Sequence, residues 1–175
     1  MSLEDVVNKI KQEQNFNEEV PAFDPNNGNE KAKYLFLLEA PGPKAVKTGY
    51  ISFDNPDPSA LNFKKQLEDA GIKRSEIAIW NIVPWYIGNS NKTQIRAAKG
   101  SDIQNGLLYL SDVIKEIPGL KFIILMGGAA RKAHVYLSKI TTARIVSCHH
   151  TSIRVQNANP DAFRENVEVL KFISE

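Results

Sequence analysis

Four apolar runs in this chain end in residues that can do chemistry. Tyr34-Leu35-Phe36-Leu37-Leu38 ends in Glu39, with Ala40-Pro41-Gly42-Pro43 behind it. Ile77-Ala78-Ile79-Trp80 leads into Asn81, Phe122-Ile123-Ile124-Leu125-Met126 into Gly127-Gly128, and Ile145-Val146-Ser147-Cys148 into His149-His150. A carboxylate at such a place caps a turn, pairs with a lysine or acts on a ligand. The N–H groups of Ala40 and Gly42 are donors for an anion or a carbonyl. An asparagine amide offers a donor beside an acceptor, which matches the edge of a pyrimidine or another amide-like group. The glycine pair resembles a phosphate-cradling turn, but close packing of helix on strand is the simpler reason for it. Successive strand residues point to opposite faces, so one histidine faces the strand ends and the other the flank. A metal is not expected. Zinc sites need three or four protein ligands, and His134 is the only other histidine.

These residues meet only if the runs are strands of one sheet. Each run is apolar without alternation, the mark of a strand buried on both faces of a parallel sheet. Leu3, Val6, Val7 and Ile10 predict a helix over residues 3–14. A helix capped by Ser59 carries Leu61, Phe63, Leu67 and Ala70 to Gly71. Another, capped by Ser101, carries Ile103, Leu107, Leu110 and Ile114 to Pro118-Gly119. A short helix follows over residues 129–137, and a last one starts at Asn159-Pro160 with Phe163, Val167, Leu170 and Ile173 on one side. Residues 15–33, 44–58 and 85–100 read as loops. Strands alternating with helices predict a three-layer α/β/α fold around a four-stranded parallel sheet. Ligands of such sheets bind beyond the C-terminal strand ends, where Glu39, Asn81, Gly127 and His150 fall.

Composition bounds the rest. The chain has 175 residues, 42% of them hydrophobic, enough for one domain over 1–175. Its 22 basic and 20 acidic residues leave a net charge of +2, compatible with a polyanionic partner but no evidence for one. No apolar run approaches the roughly 18 residues of a membrane span. The acidic start Met1-Ser2-Leu3-Glu4-Asp5 does not read as a signal peptide, and none is expected. Cys148 is the only cysteine, which excludes an intramolecular disulfide and an all-cysteine iron–sulfur site. A reducing, cytoplasmic location is expected.

The loops after the first two strands hold Tyr50, Phe53, Trp85 and Tyr86, on any of which a planar base would stack for about 1–3 kcal/mol. Lys44, Lys47, Lys92, Arg96, Lys99 and Arg154 also lie in loops of this edge. They form either a solvated rim or a surface that tracks phosphates.

The stretch from Gly28 to Gly42 resembles the first motif of the uracil-DNA glycosylase superfamily, in the branch whose motif reads Gly-Glu-Ala-Pro-Gly. The strand ending in Asn81 resembles that family's asparagine-bearing second strand. Leu125-Met126-Gly127-Gly128-Ala129-Ala130 is similar to its Leu-Gly-x-x-Ala segment, and Cys148-His149-His150-Thr151-Ser152 to its His-Pro-Ser motif, with His150 in the histidine place. The four come in order, from about Gly28 to the C-terminus. The resemblance implies a sheet ordered 2-1-3-4 along the chain. It implies hydrolysis of the N-glycosidic bond of uracil, or a related deaminated base, flipped out of single- or double-stranded DNA. It implies a monomer that needs no metal or organic cofactor. His150 and Glu39 are then catalytic. Ala40, Gly42, Asn81 and a ring from Phe53 or Tyr50 hold the base. Ser152, Ile153, Arg154 and Lys92 contact DNA, with Ser152 on phosphate and Ile153-Arg154-Val155 wedging into the vacated stack.

This chain departs from the pattern at four points. Leu38 replaces a glycine, Thr151 a proline, and Ala40 the water-orienting aspartate of other branches. The cysteines of an iron–sulfur cluster are missing. The first two departures leave a competing expectation, a catalytically weak or inactive homologue that binds nucleic acid or a nucleotide.

Overall fold

The computed structural model describes residues 1–16 and 19–175; part of the expected loop 15–33, at Asn17 and Glu18, lies outside the described residues. Six strands form among them: β1 (Ala22–Phe23), β2 (Tyr34–Leu38), β3 (Tyr50–Ile51), β4 (Ile77–Asn81), β5 (Phe122–Met126) and β6 (Arg144–Cys148). The helices are α1 (Leu3–Gln14), α2 (Pro43–Thr48), α3 (Pro58–Ala70), α4 (Gly100–Lys115), α5 (Gly128–Arg131), α6 (His134–Ile140), α7 (Ile153–Ala158) and α8 (Ala162–Ser174).

The main sheet is parallel, in the order β4-β2-β5-β6. Counting only its own strands along the chain, that is the expected 2-1-3-4. Trp80, Leu37, Leu125 and Ser147 lie in one register row across it. The next row runs from Asn81 and Leu38 to Cys148, so the four strands end level. Leu35, Phe36, Leu37, Ile123, Ile124 and Leu125 are fully buried, each such side chain contributing about 1.5–3 kcal/mol. Phe36 meets Phe63 of α3 edge-on at 4.9 Å, which identifies the α3 face of the sheet. Its register partners alternate with it, so Leu38 and Asn81 lie on that same face. On the opposite face Trp80 stacks on Phe23 of β1 at 4.4 Å. Helix α8 packs on α3, and α1 on α4.

Short elements depart from the expected loops. Residues 15–33 contain β1 and a 3-10 turn, and residues 44–58 contain most of α2 and all of β3. The pair β1–β3 is a separate parallel sheet packed on β4. Asp57, not Ser59, caps α3, its carboxylate accepting the Ala60 N–H. Pro58 follows at the first helical position, where its missing N–H costs nothing. Lys99 rather than Ser101 precedes α4, and Leu61 of α3 faces solvent. The helix expected over residues 129–137 is broken at Lys132-Ala133 into α5 and α6. The C-terminal helix starts at Ala162, and the residues before it form α7. Strand β6 is only partly buried, as its edge position and its polar Arg144 and Ser147 require. Trp85 and Tyr86, read as loop aromatics, are buried. No helix among the described residues is long and apolar enough to cross a membrane.

Candidate active site

The level ends of four strands make one edge, and each named residue enters it through backbone that the fold fixes. Leu38 and Asn81 are register partners, and the ladder continues past them: Ile82 N–H donates to the Leu38 carbonyl (2.7 Å) and Val83 N–H to that of Glu39 (2.9 Å). Asn81 is therefore held beside the Glu39 turn. Gly106 of α4 seats the helix on this segment, since a Cβ there would meet the Ile82 carbonyl oxygen at 1.9 Å.

The Asn81 side chain is 2% exposed, and its Oδ1 is buried with no hydrogen-bond partner. Such an acceptor costs about 1–3 kcal/mol unless something supplies a donor. Leu38 stands next to it on the same face, half-buried where the rest of β2 is buried.

Glu39 is half-buried. Its Oε1 accepts the Ala98 N–H at 2.7 Å, which ties down the loop before α4. Its Oε2 and the amides of Ala40 and Gly42 make no hydrogen bond among the described residues. Gly42 begins the turn into α2.

His150 is placed from three sides. Gly127, at φ +91°, lies under it; a Cβ there would sit 3.0 Å from the His150 Cβ. Thr151, 5% exposed, donates its hydroxyl to the Ser59 carbonyl (2.9 Å), and Asn62 donates to the Thr151 carbonyl (3.0 Å). Ser152 donates its backbone N–H to His150 Nδ1 at 3.1 Å. Burial pushes the imidazole below its ordinary pKa, against the opposing pull of the Glu39 and Asp57 carboxylates. The ring is thus neutral near pH 7. With Nδ1 accepting, its proton is on Nε2, the tautomer that can donate outward.

His149 takes the flank, its Nε2 2.6 Å from Glu165. Its backbone is gripped by a side chain that the apolar runs and motifs do not point to. Asn166 of α8, 1% exposed, accepts the His149 N–H (2.7 Å) and donates to the His149 carbonyl (2.9 Å). Its other N–H goes to Gln66 of α3 at 3.0 Å. A signal was present: Asn166 interrupts the stripe Ala162, Leu170, Ile173 on the buried side of α8.

The remaining candidates divide. Phe53 is 7% exposed, with the Arg74 guanidinium over its ring at 4.4 Å and Phe63 beside it at 6.3 Å. That ring is buried against these neighbours. Tyr50 is 43% exposed at the start of β3. Ser152 caps α7, its Oγ accepting the Val155 N–H, and keeps its own hydroxyl hydrogen to donate. Ile153 and Arg154 are exposed in the first turn of α7. Lys92, at φ +54°, lies 3.5 Å from Glu19. Cys148 is buried, its thiol pushed up to about 12, so it is not a nucleophile at neutral pH. Among the described residues no group of three His, Cys, Asp or Glu is placed to hold a metal ion.

A parallel α/β/α sheet with an amide, a carboxylate and an imidazole at its C-terminal edge belongs to the class of α/β folds whose ligand sites lie at strand ends. The model of the uracil DNA glycosylase superfamily matches residues 25–171, and the chain belongs to that superfamily. It is similar in fold to the solution NMR structure of a candidate uracil DNA glycosylase from Methanosarcina acetivorans. That likeness has a TM-score of 0.57 at 12% identity and covers 90% of this chain and 99% of that one. Among curated proteins nothing matches.

Proposed function

We propose that this chain is an N-glycosylase that hydrolyses the bond between deoxyribose and uracil, or a related deaminated base, in DNA. The observation that carries the reading is the buried, unpartnered Oδ1 of Asn81, on the edge where His150 presents a neutral Nε2–H. Membership of the superfamily supports the reaction class.

The target nucleotide is extruded, at a cost of a few kcal/mol, and its base enters the strand-end site. Asn81 Oδ1 accepts the base's N3–H and Nδ2 donates to O4, a pattern that cytosine does not offer. The exposed ring of Tyr50, rather than Phe53, stacks on the base. As the C1′–N1 bond breaks, its electron pair passes to the base and the sugar gains cationic character. His150 Nε2–H donates to O2, where the charge develops, and the Ala40 and Gly42 amides add donors. Glu39, held by Ala98, uses Oε2 to orient water toward C1′. Water supplies the hydroxyl at C1′ and its proton neutralises the departing base. Ser152, Arg154 and Lys92 contact phosphates, and Ile153 fills the vacated stack. The protein acts as a monomer in the cytoplasm.

A second reading, base or nucleotide binding without hydrolysis, is favoured by Leu38, whose side chain shares the sheet face of Asn81. Single-turnover assays on oligonucleotides carrying uracil, hypoxanthine or xanthine separate the two. Release of a free base that slows by about 10²–10³-fold in His150→Ala is the expected result. Binding with no release from any substrate would leave the second reading standing.

A further inference from the structure

An open groove runs along α2, the helix that follows the Glu39–Gly42 turn. Lys44, Lys47 and Thr48 of α2 form one wall, Lys92 and Thr93 another, and Lys11 of α1 also lines it. No carboxylate of the described residues lines this groove; Glu19 reaches Lys92 from outside it. Elsewhere many cations are paired, as in Lys9–Asp112, Lys33–Glu76, Lys64–Asp54 and Arg96–Asp102. Lys11, Lys44 and Lys47 make no ion pair among the described residues.

Lys44 and Lys47 are three residues apart on one helix, so their side chains rise from the same face. Both are exposed. Like charges so placed repel, and a chain of net charge +2 has carboxylates enough to have neutralised them. A polyanion lying along the groove would relieve that repulsion and release its own counterions. The groove starts at Pro43, directly after Gly42, whose amide faces no partner at the candidate site. The groove lining thus begins one residue beyond the turn of the candidate site.

We infer that this groove carries the phosphodiester backbone of the target strand as it runs away from the flipped nucleotide, with Lys44 and Lys47 on successive phosphates. The identity of the polyanion rests on the glycosylase reading; the geometry of the groove does not.

The test uses the full chain and a single-stranded 15-mer with one central uracil, titrated by fluorescence anisotropy over a series of sodium chloride concentrations. The comparison is between the unmodified protein and the double variant Lys44→Gln/Lys47→Gln, with circular dichroism as the check on folding. At low salt the variant is expected to bind at least tenfold more weakly. Its slope of log affinity against log salt should be smaller in magnitude by about 1.4, at about 0.7 for each phosphate no longer neutralised. An unchanged affinity and slope would overturn the inference. So would equal competition by polyglutamate of matched charge, which would make the groove a reader of acidic peptide. Uracil release from a trinucleotide, too short to follow the groove, tests the catalytic reading separately. A reduced slope with no release from any length of substrate would keep the groove and sink the glycosylase.

Discussion

Asn81 carries an oxygen whose burial costs the folded chain stability. Its Oδ1 has lost water and gained no donor. Asn81→Leu, which keeps the branching of the side chain without its polar atoms, should raise stability by about 1 kcal/mol, read as a shift in urea midpoint at constant slope. An equal or larger loss of stability would mean that the amide has a structural partner. Asn81→Asp should leave the fold intact and move selectivity toward cytosine, because the N–H donor that matches O4 is gone. In the proposed reaction His150 works on developing charge, so on that proposal His150→Ala should lower the single-turnover rate by about 10²–10³-fold and barely change DNA affinity. Its titration carries a sign. The folded pKa lies below the ordinary value of 6.5, so in the window beneath 6.5 the unfolded chain binds the extra proton. Stability thus rises with pH through that window and is lost as the pH falls through the folded pKa. Glu39 opposes the effect of burial, so Glu39→Gln should lower the His150 pKa further in an NMR titration; a rise would separate the two groups. At this scale the strand-end residues Glu39, Asn81 and His150 were legible, because a polar residue that closes an apolar run must meet either a turn or a ligand. The burial of Phe53 was not legible. Nothing in its neighbourhood in sequence announces Arg74, twenty-one positions on, as the group that covers its ring.

The elements show where a period is needed before a sequence can be read. The long helices and the main strands stood out because each repeats its pattern over several residues. The elements β1, β3, α2 and α7 are two to six residues long, too short to display one. Helix α8 was legible as a helix, but its polar residue was not legible as a clamp. Asn166 behaves like a short strand, answering both backbone groups of His149 as a neighbouring strand would beyond the end of β6. Gln66 fixes the amide's remaining N–H, so α3, α8 and the residue before His150 are joined through one side chain. Asn166→Asp keeps the acceptor for the His149 N–H and loses both donors. The expected outcome is a fall of about tenfold or more in the single-turnover rate with KM little changed, together with a broadened or shifted His150 Nε2 signal in nitrogen-15 spectra. A destabilised protein whose His150 signal and normalised rate are both unchanged would reduce Asn166 to a packing residue. Gly127→Ala acts on the same histidine from beneath. It combines a strained φ with a Cβ at 3.0 Å from that of His150, and should cost rate as well as stability.

The whole molecule raises a question that the site alone does not: what holds the β1–β3 pair, and with it Tyr50, against the main sheet. Two residues per strand cannot sustain a sheet by pairing alone. The stack of Phe23 on Trp80 supplies apolar contact, and Arg74, just before β4, supplies the polar connection. Its guanidinium meets Asp24 at 2.6 Å and Asp54 at 2.6 Å, and donates to Asn27 at 3.0 Å. Asp24 is 4% exposed and also accepts from Ser52, so it links the residue after β1 to the residue after β3. Removing the cation would leave a buried carboxylate with hydroxyl and amide partners only. Breaking one side of a buried pair costs about 3–5 kcal/mol, and the low end applies because Arg74 is partly open to solvent. Arg74→Leu should therefore lose about 3 kcal/mol in urea unfolding, whereas Arg74→Leu combined with Asp24→Asn should recover a good part of it by removing the stranded charge. If the single variant lost under 1 kcal/mol, the connection would be no more than a surface ion pair, and Tyr50 would owe its place to the Phe23–Trp80 stack. If the loss came with a lower slope of unfolding, the β1–β3 pair would be unfolding before the sheet. Tyr50 would then reach the base only after ordering, at a cost in binding that the double variant should partly restore.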